Sequence, residues 1–109
     1  MAASITEASA YVAELIDVLE NLYWEAPSVA VKNQCFNGLR FLQNERTELT
    51  KISVQDHHYD YEIISCSAQD MDHCLNNLNK LIENEVLRAQ TRSQLMPLLK
   101  CAKTYFSAD

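Results

Sequence analysis

Apolar residues return every third or fourth position through most of the chain. From Ile5 the series runs Ala8, Val12, Leu15, Leu19 and Leu22, at spacings of 3, 4, 3, 4 and 3, with Tyr11, Ile16 and Tyr23 widening it. That period marks one face of an amphipathic α-helix. The preceding "SITE", residues 4–7, has the S-x-x-E form of a capping box, which makes Ser4 the N-cap. Pro27 pushes Ala26 out of the helical region and ends the element. Ser28 caps a second helix, whose buried face is Val31, Cys35, Leu39, Leu42 and Leu49, with Phe36 beside it. Gly38 falls in its middle at a cost of about 1 kcal/mol relative to Ala, which predicts close approach of a neighbouring helix. "SAQD", residues 67–70, caps a third stripe of Ala68, Met71, Leu75, Leu78, Ile82 and Val86. The T-x-x-Q of residues 91–94 reads as a further capping box, with Pro97 in or near the first turn and Leu95, Leu98, Leu99, Ala102, Tyr105 and Phe106 on the apolar face.

The pattern therefore predicts helices near 4–25, 28–50, 67–90 and 93–107 and an all-α fold, an up-down antiparallel four-helix bundle in a single domain over residues 1–109. The stretch from Thr47 to Cys66 breaks the helical period. Tyr59, Tyr61 and Ile63 alternate with Asp60 and Glu62, as in a half-buried strand. A short β-hairpin turning at "QDHH" competes here with an irregular connection between helices. A turn without Gly, in a hairpin with no further strand to pair with, favours the irregular connection. No polar residue is expected on the apolar stripe of any core helix.

Composition narrows the chemistry. With one Gly and two Pro in 109 residues, neither a phosphate-cradling GxxxxGK[ST] or GxGxxG loop nor a GxSxG nucleophile elbow can be written. CxxC and HExxH are absent, so the common zinc signatures are missing too. Three of the four cysteines (Cys35, Cys66, Cys74 and Cys101) sit among apolar residues at helical spacing, where a thiol packs as a small hydrophobe. No basic-then-apolar leader pattern opens the chain, and no apolar run is long enough to span a bilayer. A reduced, cytoplasmic protein that binds no membrane is expected.

The net charge of −6 is segmented. Residues 1–27 carry five acids and no Lys or Arg, residues 28–53 four bases and two acids, residues 54–74 five acids and no Lys or Arg, and residues 75–109 five bases and three acids. Direct nucleic acid binding is not expected, since Arg88, Arg92, Lys100 and Lys103 make a thin basic footprint.

Candidate chemistry gathers in "DHHYDYE", residues 56–62, and "DMDHC", residues 70–74. One reading is a metal site built from His57, His58 and His73 with nearby carboxylates, which would make the chain a metal-binding helical bundle. Those ligands have no recognised spacing, and the adjacent His57 and His58 diverge in any regular backbone, so neither a metal nor another cofactor is expected. His73 beside Cys74 could form a thiolate pair, although an exposed His73 next to a buried Cys74 explains the pair as well. No acid–base pair stands out, and an enzyme is not expected. The favoured reading is an acidic and aromatic surface of Asp56, His58, Tyr59, Asp60, Tyr61 and Glu62 that docks a basic partner protein, in an adaptor, an inhibitor, or an immunity- or chaperone-like protein. Trp24 is expected to cap the end of the bundle core. A homo-oligomer is compatible with the pattern.

Overall fold

In the computed structural model, which describes residues 3–84 and 89–106, the three serine caps act where the sequence places them. At the start of α1 (Ile5–Glu25) Ser4 Oγ accepts from the Glu7 N–H at 3.2 Å while Glu7 Oε1 accepts from the Ser4 N–H at 3.1 Å, the full reciprocal box. Ser28 Oγ accepts from the Val31 N–H at 3.3 Å and opens α2 (Val29–Thr50). Ser67 Oγ accepts from the Asp70 N–H at 3.1 Å ahead of α3 (Ala68–Asn84). α4 (Ala89–Lys100) and its short continuation α5 (Ala102–Phe106) complete the bundle. α1 packs against α2 and α4, and α3 packs against α2, α4 and α5, the neighbour relations of an up-down four-helix arrangement 42 Å long and 23 Å across.

The last helical region departs from expectation. α4 begins at Ala89, so Pro97 lies in its interior and not in its first turn. Proline has no N–H for the preceding turn, and the helix stops soon afterwards. The chain turns at Cys101, whose N–H donates to the carbonyls of Pro97 and Leu98 at 3.2 Å each, and then enters α5. Thr91 is a buried helical residue and not a cap: its Oγ1 donates to Glu25 Oε1 at 2.6 Å, fastening α4 to the end of α1. Val86, Arg88 and the stretch 85–88 of the expected third helix lie outside the described residues.

The core follows the stripes. Val12, Leu15, Ile16 and Leu19 from α1 meet Val31, Cys35 and Leu42 from α2, Met71 and Leu78 from α3, and Leu95 from α4. Gly38 has the close neighbour its position implied, because a Cβ there would stand 3.2 Å from Leu78 Cδ2. On the helices, Phe36 and Trp24 fall outside the core. Phe36 is 53% exposed and Trp24 77%, so Phe36 does not join the buried face of α2 and Trp24 does not cap the bundle end.

Between α2 and α3 the chain makes a 3-10 turn, Val54–Asp56, and then runs irregularly to Ser67. The hairpin is not formed. The alternating segment instead touches the residues that precede α1, through one isolated antiparallel bridge between Ser4 and Asp60.

Candidate functional site

On α2 the apolar stripe skips from Leu42 to Leu49. Glu45, three residues after Leu42 and four before Leu49, occupies the vacant place, and a helical period carries it inward. It is fully buried. This overturns the expectation that no polar residue stands on a core stripe. Burying a carboxylate among apolar side chains is costly unless its lone pairs are taken up, and here every donor comes from one segment. Oε1 accepts from the Ser65 Oγ–H at 2.7 Å, the Ser65 N–H at 2.9 Å and the Ile64 N–H at 3.2 Å. Oε2 accepts from the Tyr61 hydroxyl and from the Ile64 N–H at 3.0 Å. Among the described residues no Lys or Arg pairs with Glu45. Its charge is held by neutral donors alone, in the manner of an anion bound in a backbone nest.

The same segment is tied to α1 by its main chain. The Tyr59 carbonyl accepts from the Ile5 N–H at 2.9 Å, the His57 carbonyl accepts from the Thr6 N–H at 3.1 Å, and the Tyr61 N–H donates to the Ala3 carbonyl at 2.8 Å. Ile5 and Thr6 lie in the first turn of α1, whose N–H groups have no partner within the helix. "DHHYDYE" thus completes the cap that Ser4 begins. Residues 57–65 form a strap, closed against α1 at one end and against α2 at the other. A ring cluster backs it. Tyr61 meets Phe106 edge-on at 6.1 Å, Phe106 meets Tyr11 at 5.7 Å, and Tyr11 stacks on Tyr105 at 4.2 Å.

The strap divides the predicted surface. Tyr61 is 5% exposed and belongs to the core, so it cannot anchor a partner from the surface. Burial first, then its hydrogen bond to Glu45 and the Glu45 charge, hold its hydroxyl far above the usual tyrosine range. The remaining members face solvent: Asp56, His58, Asp60 and Glu62 are exposed, and Tyr59 is 58% exposed. The His58 and Tyr59 rings lie 4.3 Å apart at 32°. Val54 and Ile64, exposed on either side, extend the apolar part of this surface. Glu45 was legible as the residue that fills a seven-residue gap between two leucines. The burial of Tyr61 alone was not, because alternation places Tyr59 and Tyr61 on one face and only the bond to Glu45 separates them.

The three histidines are kept apart in role. His57 Nε2 donates to the Ile52 carbonyl at 3.2 Å, His58 lies against Tyr59, and His73 is an exposed residue of α3. Among the described residues no three His, Cys, Asp or Glu side chains are grouped so as to hold a metal ion. Cys74 is buried beside the exposed His73, and burial pushes its thiol up to about 11, away from the thiolate that nucleophilic chemistry needs. Cys35 is pushed up to about 11 by the same cause. A groove of about 440 Å³ between α3 and the α4–α5 turn has Leu75, Leu99 and Phe106 in its floor and Asp72, Asn76 and Lys103 at its rim, and none of the predicted site residues lines it. No helix among the described residues is long and apolar enough to cross a membrane.

No protein-family model matches the chain, and no curated protein or solved structure matches it either. Function has to be argued from its own residues.

Proposed function

We propose that the chain is a small acidic interaction module that docks a basic partner protein through the outer side of the 56–64 segment, with Asp56, His58, Tyr59, Asp60 and Glu62 as the contact residues. The observation that carries this is Tyr59, more than half exposed with His58 against it, inside a run of acids with no Lys or Arg from residue 54 to 74. A solvated loop gains nothing from an aromatic ring held in water. A docking surface gains contact area from a side chain with little entropy to lose. The strap supports the reading, because hydrogen bonds on both sides fix the segment before any partner arrives, and preorganisation lowers the cost of binding. Acids speed encounter with a positive surface and are screened by salt, whereas the ring governs how long the complex lasts.

The test is affinity capture from cell extract with the wild-type chain and with Tyr59→Ala and Asp60→Lys, followed by kinetics on the purified partner. The partner should carry a positive surface. Asp60→Lys should slow association and flatten its salt dependence, and Tyr59→Ala should speed dissociation by tenfold or more, about 1.4 kcal/mol or above. A partner that binds both folded variants as it binds the wild type removes this segment from the interaction.

A further inference from the structure

A second surface lies at the other end of α1 from the strap, where Pro27 reverses the chain. Among the described residues seven large apolar side chains are exposed, and three of them lie on the two helices that this turn joins: Trp24 at 77%, Val29 at 73% and Phe36 at 53%. Helical phase places Val29, Phe36 and Arg40 on one outward strip of α2, and Asp17, Glu20 and Trp24 on one outward strip of α1. The strips are joined across the seam. Tyr23 packs edge-on against Trp24 at 5.4 Å, and Lys32 Nζ stands 5.4 Å over the Tyr23 ring. The α1 strip carries two acids, Asp17 and Glu20, the α2 strip carries one base, Arg40, and among the described residues no ion pair joins them.

We infer that this face is covered by a second copy of the chain, about a twofold axis running parallel to α1 and α2. Such an axis sets α1 of one copy opposite α2 of the other, antiparallel and at the same height, because each helix is measured from the same turn at Pro27. Asp17 of each copy, ten residues before Pro27, then stands within one helical turn of Arg40 of the other, thirteen residues after it. Trp24, three residues before Pro27, meets Val29, two residues after it, at nearly the same height. The interface is isologous and self-complementary in charge and in apolar contact, as a closed dimer requires. A face of one sign would point to a foreign partner of the opposite sign. This face carries both signs in adjacent strips, and its own copy presents them in the matching order. The strap lies at the far end and stays open in the dimer, so the two copies display their 56–62 segments at one end. This dimer does not depend on what those segments bind.

Trp24 is the sole tryptophan, so its emission reports on this surface directly. Sedimentation and fluorescence of the full chain should show a dimer forming with concentration, with emission moving to the blue as the indole leaves water. Phe36→Asp should raise the dissociation constant at least about tenfold while helical circular dichroism is kept. Asp17→Arg and Arg40→Asp should each weaken the dimer, and the two together should restore it, a rescue that packing alone would not give. The charge swap serves independently of how well Phe36→Asp folds. A wild-type chain that remains monomeric at about 1 mM, weaker than any useful affinity, overturns the inference. So does a dimer indifferent to Phe36→Asp and to both single charge reversals, or a face that captures another protein while the chain itself stays monomeric.

Discussion

The helical body and the strap are built on opposite principles. In the body α1, α2 and α3 carry their own instructions: a serine cap and an apolar stripe lie within about twenty residues of one another, and packing the stripes together completes the fold. The strap carries almost none. A single turn, Val54–Asp56, precedes it, and its place is set by Glu45 on α2 and by the open N–H groups of α1. One region is stabilised by apolar area spread over many side chains. The other is held by a few hydrogen bonds that converge on one carboxylate. Damage should therefore be shared in the first region and concentrated in the second.

The largest effect expected is on the body. Leu78 is buried on α3 against Gly38 of α2, and Leu78→Asp puts an unpaired carboxylate where apolar contacts stood. The lost packing and the buried charge together should cost about 5 kcal/mol or more, close to the whole stability of a small domain. Circular dichroism should show an unfolded chain at 25 °C. A folded Leu78→Asp protein would mean that the α2–α3 contact is not the centre of this core.

The strap should break at Glu45. Glu45→Ala leaves the Tyr61 hydroxyl, the Ile64 N–H and both Ser65 donors without an acceptor, in a space the carboxylate used to fill. Charge-assisted bonds and unmet donors put the cost at about 3–4 kcal/mol. The loss should be local first. Amide exchange at Ile64 and Ser65 should become fast while α1 and α3 stay protected. If the whole protein loses protection uniformly, the strap and the helical body form one cooperative unit.

The same contrast decides what could be read before folding. All three serine caps, the glycine contact and the stripes of α1, α2 and α3 follow from residues three or four apart, so the sequence displays them directly. The α4 boundaries do not, because Thr91 makes a convincing cap on paper and serves instead as a tie to Glu25, a residue 66 positions away. The division of the strap into an inner Tyr61 and an outer Tyr59 depends on Glu45, sixteen positions from Tyr61. Period alone flags Glu45 as misplaced. Only the folded chain brings it donors. The bulk of the bundle was therefore legible and the surface was half legible: its acids and Tyr59 are outside as expected, and its second tyrosine is not.

Alkali offers a gentler way to compare the regions. Burial pushes the Cys35 and Cys74 thiols from 9.0 to about 11, so the folded body keeps protons that the unfolded chain gives up. With the folded values raised, the stability the thiols contribute is complete below pH 9 and is lost as pH rises toward about 11. Denaturant midpoints should be level up to pH 9 and then fall. Replacing both cysteines with Ala should flatten the portion between pH 9 and 10. From pH 10, the ordinary tyrosine value, the strap adds its own loss, since the Tyr61 hydroxyl is shifted in the same direction. A level profile through pH 11 in the wild type would show that the thiols reach water more easily than their burial indicates.

The smallest effect is the sharpest test, because it compares two tyrosines two residues apart. Tyr61→Phe keeps the ring against Phe106 and removes only the hydroxyl that donates to Glu45 Oε2. The carboxylate is left with the Ile64 and Ser65 donors in a site water does not enter, and the loss should be about 1.5–3 kcal/mol. Tyr59→Phe removes a hydroxyl from a ring already 58% exposed and should change stability by no more than about 0.5 kcal/mol. For binding the order should reverse: changes at Tyr59 reach the partner directly, and Tyr61→Phe reaches it only through the strap's rigidity. Thermal melts and partner dissociation rates for the pair give four numbers. If the two substitutions cost the same stability, the Glu45–Tyr61 bond does not hold the strap, and the division into an inner and an outer tyrosine has no energetic meaning.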